Sequence, residues 1–275
     1  MTAPTVALVL GASGGLARAI IAELMADAGI ETVVAVSRNP LPQQLVEAQS
    51  NRKVQWITSN YNETEMAAVV EQLQPYSGRI SRVCICHGIL HSSVEDSVAN
   101  SVEGSVDSLV ESPAMASGQQ GTLWPEKRLE DIGADALHQV FQANAVVPVL
   151  WLKLLHRVLK GPQRCVVAAL SARVGSIGDN HLGGWYAYRS SKAALNMLMR
   201  TVAIEYSRRI KNVKLISFHP GTTDTALSKP FQSAVPSDKL FTPQFVAERL
   251  CRIMDTAEID GELSYLDWDN KSIPW

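Results

Sequence analysis

The start of the chain joins an apolar segment to a helical pattern through a turn rich in glycine. The segment Thr5–Leu10 has the sequence TVALVL, and Gly11, Gly14 and Gly15 follow it. From Leu16 onward, apolar residues recur every three to four positions, which is the period of an amphipathic helix. The pattern predicts a dinucleotide-binding unit, because glycines let the backbone approach a pyrophosphate and a helix N-terminus attracts it. The spacing Gly-x-x-x-Gly-x-Ala departs from the common Gly-x-Gly-x-x-Gly, so a tight turn without a ligand is the alternative.

A second apolar segment ends at Ser37 and Arg38, where nucleotide folds contact the adenosine ribose. An acidic residue there would accept hydrogen bonds from the 2′-hydroxyl and repel a 2′-phosphate, but this segment ends without one. The guanidinium of Arg38 is able to hold that phosphate by charge-assisted contacts. We therefore predict NADP as the cofactor. NAD stays the alternative if Arg38 is an ordinary surface arginine.

Tyr188 and Lys192 are four residues apart in the segment YRSSK, so they share one face if the segment is helical. An ammonium near a phenol favours the phenolate and lowers the pKa of the tyrosine from about 10. The pair predicts an acid that transfers a proton near neutral pH.

These motifs, in this order, resemble the classical short-chain dehydrogenase/reductase family over nearly all of the 275 residues. The matching positions are Gly11, Gly15 and Ala17 in the first turn, Asn60 in place of an aspartate near adenine, Gly88 in Cys86-His87-Gly88, Asn144, Tyr188, Lys192 and Pro220-Gly221. The segments Leu170–Ile177 and Ile273–Trp275 resemble the branch of C-factor and sniffer-like carbonyl reductases. The resemblance implies one α/β domain over residues 1–275, a Rossmann-type doubly wound parallel sheet with helices on both faces.

The resemblance also implies a reaction. Tyr188 gives a proton to a carbonyl oxygen as NADPH delivers hydride to the carbon, so the substrate is a small aldehyde, ketone or quinone, or the alcohol in the reverse direction. Lys192 binds the nicotinamide ribose, and Asn144 holds a water that connects the lysine to solvent. The implied cofactor-binding positions are Gly11, Ser13, Gly14, Gly15, Leu16, Arg38, Asn60, Gly88, Tyr188, Lys192, Pro220, Gly221, Thr223 and Thr225.

The serine that orients the substrate is displaced in this chain. In the family that the chain resembles, this serine usually stands three residues before a glycine. Three residues before Gly175, this chain has Ala172. We choose Ser171, one residue earlier, as the catalytic serine. Ser176 is the remoter alternative.

An insertion at about residues 91–128 lengthens the chain between Gly88 and Asn144. It contains Ser-Val pairs that recur every four residues, at Ser93, Ser97, Ser101 and Ser105. Serine and glycine favour a disordered or weakly helical excursion. A cover for the substrate cleft or a partner-binding segment is the alternative.

Composition sets the remaining expectations. A net charge of −2 gives no long-range attraction to nucleic acid or to an anionic membrane. The start has no basic region ahead of its apolar segment, and the four cysteines and six histidines show no metal-ligand spacing, so we expect a cytoplasmic protein without a metal. The resemblance implies a homodimer or homotetramer formed by the Tyr188 helix and the helix before it. Trp151 and Met199 on those helices either face a partner subunit or belong to the core.

A second class of function stays open. The displaced serine, the altered Cys86-His87-Gly88 segment and the signalling role associated with C-factor favour an NADP-binding signalling or regulatory protein with little turnover. Tyr188, Lys192 and Asn144 favour the enzyme.

Overall fold

The computed structural model describes residues 4–91 and 123–275. Its strands are β1 Thr5–Leu10, β2 Ile30–Ser37, β3 Val54–Thr58, β4 Ile80–Ile85, β5 Cys165–Leu170, β6 Val213–His219, β7 Thr222–Thr223, β8 Leu240–Phe241 and β9 Leu263–Asp267. Its α-helices are α1 Gly15–Ala26, α2 Val46–Ser50, α3 Glu63–Gln72, α4 Ala134–Phe141, α5 Val147–Leu159, α6 Tyr186–Arg209 and α7 Pro243–Thr256. A π-helical turn, Gln142–Val146, joins α4 to α5.

Seven of these strands form one parallel sheet in the order β3-β2-β1-β4-β5-β6-β9. Their sequences are nearly continuous apolar runs, as parallel strands covered on both faces require. The order reverses between β1 and β4, and ligands of such sheets bind at this switch point, past the carboxyl ends of the strands. The doubly wound fold predicted from the sequence is confirmed.

Helices cover both faces of the sheet and bury two separate apolar layers. One layer includes residues of α1 and α7, and the other includes residues of α3, α5 and α6. Trp151 and Met199 are fully buried in the second layer. They therefore belong to the core and do not face a partner subunit. The exposed apolar side chains of α6 are instead Met197 and Ile204.

The insertion is described only at its two ends, and its Ser-Val repeat lies outside the described residues. At the carboxyl end, the Trp185 amide at the start of α6 donates to the Glu126 carbonyl oxygen at 2.6 Å. The last residues of the insertion therefore pack against the helix that carries Tyr188 and Lys192. In the part of the chain that the structure covers, no helix has both the length and the apolar character needed to cross a bilayer.

Candidate active site

The turn between β1 and α1 has the features of a phosphate-binding loop. Gly11 has a φ of 80°, and a Cβ there would lie 3.0 Å from the His87 amide nitrogen, so only glycine fits. Helix α1 begins at Gly15 with Gly14 as its N-cap, without a side-chain cap and without an acidic residue in its first turn. A Cβ at Gly14 would meet nothing within 4 Å. The first N–H groups of α1 are thus left for an anion, and there is room for one.

A cleft of about 640 Å³ lies beside this loop at the carboxyl ends of the strands. The predicted site residues that line it are Ser13, Gly14, Gly15, Leu16, Gly88, Ser171, Tyr188, Lys192, Pro220, Gly221, Thr223 and Thr225. The predicted residues outside its lining are Gly11, Arg38, Asn60 and Asn144. Residues from distant parts of the chain meet here: a Cβ at Gly15 would lie 3.3 Å from Thr225 Cγ2.

Tyr188 and Lys192 lie in the first two turns of α6 and share the face that borders the cleft. Lys192 Nζ is 5.7 Å from the centre of the Tyr188 ring and donates to the Leu170 carbonyl oxygen at 2.7 Å. Burial lowers the pKa of the lysine to about 8. Burial, with a smaller contribution from Tyr265, raises the pKa of Tyr188. The lowering of the tyrosine pKa predicted from the sequence is not found in this arrangement, where burial is the main influence on the phenol.

Asn144 lies in the π-helical turn and is completely buried. Its Oδ1 accepts from the Ile89 amide at 2.7 Å, while its Nδ2 donates to the Ile89 carbonyl at 3.0 Å and to Ser191 Oγ at 3.0 Å. The side chain thus joins the segment after β4 to the residue next to Lys192. Single π turns are frequent at functional sites, and this one places the amide between two cleft walls.

Of the two candidate serines, Ser171 lines the cleft and Ser176 does not. Ser176 Oγ accepts from the Asp179 amide at 3.0 Å. Ser171 Oγ donates to Asn196 Oδ1 at 2.8 Å, and within the described residues the buried Asn196 Nδ2 has no hydrogen-bond partner. Turning this amide over would let Nδ2 donate to Ser171, and the hydroxyl proton would then be available to a ligand.

Arg38 and Asn60 follow β2 and β3, on the far side of the switch point from Tyr188. Arg38 is exposed, with its guanidinium 5.9 Å from the centre of the Tyr61 ring. The Asn60 amides donate to the Glu65 carboxylate, at 2.6 Å from the backbone and 3.2 Å from Nδ2.

Two histidines line the cleft, His87 buried and His219 partly buried, and both have lowered pKa values that favour the neutral ring. Burial, with the charges of Arg38 and Lys192, lowers the pKa of His87 to about 3. Its ring packs edge-on against Tyr61 at 4.4 Å between ring centres. Burial likewise lowers the pKa of His219 to about 4.

Sequence reasoning missed three residues of the site. Trp185 lines the cleft in a left-handed conformation, and Glu126 accepts a hydrogen bond from the Ala187 amide at 3.2 Å in the first turn of α6. Neither has a sequence signal, because both depend on how distant segments meet. Asn196 was detectable, since it lies four residues after Lys192 on one face of α6.

Comparison with known proteins identifies the family. Residues 91–236, more than half of the chain, match the family described as short chain dehydrogenase, so the chain belongs to that family. It is 30% identical over 152 residues to the 1-hydroxy-2-glutathionyl-2-methyl-3-butene dehydrogenase of Rhodococcus sp. (strain AD45). The matched segment covers 54% of this chain and 62% of that protein. It therefore spans less than two thirds of the length of this relative.

Two further similarities agree with the sequence resemblance. The chain is 27% identical over 150 residues to C-signal of Myxococcus xanthus, covering 54% of this chain and 83% of that protein. The structure of an NADPH-bound carbonyl reductase from chicken fatty liver matches with a TM-score of 0.75 at 19% identity, over 99% of this chain and 100% of that one. The predicted family, with a C-factor-like relative, and the predicted fold are confirmed.

The burial of Lys192 predicts how stability depends on pH. Its pKa is about 8 in the folded protein against an ordinary value of 10.5, so between these values the unfolded chain binds more protons and stability rises with pH. We expect the free energy of unfolding of the wild type, minus that of Lys192→Met, to rise by about 2 kcal/mol between about pH 7.5 and pH 10. Urea unfolding of both proteins measures it, and the subtraction removes other titrating groups. A difference that is flat or falls with pH would contradict the prediction.

Proposed function

We propose that this short-chain dehydrogenase is an NADP-dependent oxidoreductase that reduces a small carbonyl compound, an aldehyde, ketone or quinone, to the alcohol. One observation carries the proposal: Tyr188 and Lys192 border the same cleft as the uncapped N-terminus of α1. A proton donor and an anion site thereby share one space, as reduction by a dinucleotide requires. The carbonyl reductase and dehydrogenase names of similar proteins support this class of reaction.

The described residues fit the cofactor. The free N–H groups of α1 suit a pyrophosphate, and the open space at Gly14 admits it. Arg38 is exposed and suits a 2′-phosphate. When bound, NADPH supplies the hydride that reduces the carbonyl carbon.

Tyr188 supplies the proton. A raised pKa keeps its phenol protonated across the neutral range, which is the form that a general acid needs. Lys192 is positively charged below about pH 8 and stabilises the phenolate that the transfer leaves behind. Asn144 holds the segment after β4 against α6 and so fixes the distance across the cleft.

Ser171 orients the carbonyl in this proposal. Its hydroxyl donates to the carbonyl oxygen once the Asn196 amide turns over and donates to the hydroxyl, so Asn196 acts through Ser171 as a positioning residue. The unpartnered Asn196 Nδ2 is the observation that supports this exchange. Assembly as a homodimer or homotetramer belongs to the proposal, with Met197 and Ile204 as exposed apolar residues of α6.

Replacing Tyr188 by phenylalanine tests the proton donor. We expect Tyr188→Phe to lower kcat by at least about a hundredfold, because general acid catalysis contributes that much, and to leave the Kd for NADPH unchanged. NADPH oxidation at 340 nm against a panel of aldehydes, ketones and quinones measures it. Tyr186→Phe, on the same helix but outside the cleft lining, is the matched control and should retain activity. Tight NADPH binding by the wild type with no turnover on any carbonyl would favour a cofactor-binding signalling protein instead.

Arg38→Gln tests the choice of cofactor. Loss of charge-assisted contacts to the 2′-phosphate should raise the Kd for NADPH by about tenfold or more and leave the Kd for NADH unchanged. Fluorescence titration with each cofactor measures both constants. Arg157→Gln, an exposed arginine of α5, is the control for loss of a positive charge. An equal effect on both cofactors would remove Arg38 from the phosphate site.

Two variants test the orientation of the substrate. Ser171→Ala removes the hydroxyl, and Asn196→Asp keeps the shape but leaves only acceptors, which hold the hydroxyl proton away from the carbonyl. We expect both to lower kcat by about a hundredfold, as the loss of one positioned donor does. Ser176→Ala, whose hydroxyl lies outside the cleft lining, is the control. A full rate in Ser171→Ala would show that the carbonyl is oriented without this hydroxyl.

A further inference from the structure

Four aromatic side chains form a continuous surface next to Tyr188. Trp185 lies 6.2 Å from Tyr188 between ring centres and 5.1 Å from Phe231, in tilted or edge-on geometry. Phe231 lies 5.3 Å from Trp124 and 5.8 Å from His91. We call His91, Trp124, Trp185 and Phe231 the aromatic wall.

The wall is assembled from separate segments of the chain. His91 follows β4 and is held by a contact of its Nε2 with the Ala226 carbonyl at 3.2 Å. Trp124 lies near the end of the insertion, Trp185 directly precedes α6, and Phe231 lies in the segment after β7. His91, Trp185 and Phe231 line the cleft, and Trp124 packs against two of them while 47% of it stays exposed. The aromatic surface thus continues from the cleft to a half-exposed tryptophan, and a ligand in the cleft can contact it.

The backbone at Trp185 supports a binding role. Its φ of 51° and ψ of 46° place a bulky residue in the left-handed region, directly after Gly183 and Gly184 at positive φ. This conformation costs stability for any residue with a Cβ and persists where the surrounding structure enforces it, as at binding sites. Arg189 Nε enforces it by donating to the Gly183 and Gly184 carbonyls at 3.1 and 2.9 Å. Asparagine or glycine would adopt this conformation with less strain. The strained tryptophan therefore places its ring in the cleft at a cost in stability.

We propose that the aromatic wall binds a planar aryl group attached to the reacting carbonyl, so that the preferred substrates are aryl ketones rather than saturated ketones of the same size. The proposal rests on the proposed function, because the wall begins at the ring of the proton donor Tyr188. A flat ring meets tilted aromatic faces and edges at their preferred distances of about 4.5 to 7 Å, whereas a puckered saturated ring gains only contact area. Aryl conjugation also keeps the carbonyl in the plane of the ring, which fixes its direction relative to Tyr188.

The experiment compares acetophenone with cyclohexyl methyl ketone in wild type, Trp185→Asn and Phe231→Leu. The measured quantity is the ratio of the two kcat/KM values, so that the intrinsic reactivities cancel between proteins. We expect this ratio to fall about tenfold in both variants, as the loss of an aromatic contact and its area predicts. Trp185→Asn should fold, because asparagine tolerates the left-handed region better than tryptophan does. Trp185→Phe should restore most of the ratio.

Leu129→Ala is the matched control, since Leu129 is an exposed apolar residue close to Trp124 in sequence but outside the cleft lining. It should leave the ratio unchanged. Calorimetric titration of acetophenone into the NADP⁺-saturated proteins gives a readout that needs no turnover, and its Kd should rise about tenfold in Trp185→Asn.

The outcomes separate the two proposals. Turnover of both ketones with an unchanged ratio in Trp185→Asn and Phe231→Leu overturns the aromatic wall and leaves the proposed function standing. Absence of wild-type turnover on these ketones and on the whole panel of aldehydes, ketones and quinones overturns the proposed function. Where the wild type turns over neither ketone, calorimetry decides the wall alone. Weakened acetophenone binding in the variants supports it, while equal binding, or no binding by the wild type, overturns it.

Discussion

The reversal of strand order between β1 and β4 is the constraint on which the site depends. Crossover connections leave these neighbouring strands in opposite directions, so a crevice opens at their carboxyl ends. Helix α1 begins at this crevice with its N–H groups uncapped, and α6 brings Tyr188 and Lys192 to its other wall. The proposed anion site and the proposed proton donor therefore both depend on one topological feature.

Burial sets the chemistry of the pair on α6. It raises the pKa of Tyr188 and lowers that of Lys192, so both groups move toward their neutral forms. The attraction between an ammonium and a phenolate, from which the lowered tyrosine pKa is predicted, favours the charged forms instead. In the described structure desolvation is the larger effect, and the tyrosine suits proton donation more than proton abstraction.

Local patterns predicted the parts of the site that depend on neighbours in sequence. The positive φ of Gly11 and the shared face of Tyr188 and Lys192 follow from turn chemistry and helical spacing. Residues whose role depends on tertiary packing could not be predicted in this way: Trp185 is oriented by a strained turn, and the burial of Trp151 depends on which face of α5 meets the sheet. The arrangement of Ser171 with Asn196 joins a strand end to a helix and needed the structure as well.

The segment after β4 differs from the family pattern at two positions and keeps its glycine at the third. Cys86 and His87 replace the residues usual in the family, and both are packed by neighbouring side chains. At Gly88, a Cβ would lie 3.3 Å from Lys192 Nζ and 3.5 Å from Asn144 Oδ1, so even a small side chain would press on the lysine amine. A larger side chain at this position would crowd the amine and the amide that hold the cleft together. The small size of the glycine therefore leaves the space in which Lys192 and Asn144 approach this segment.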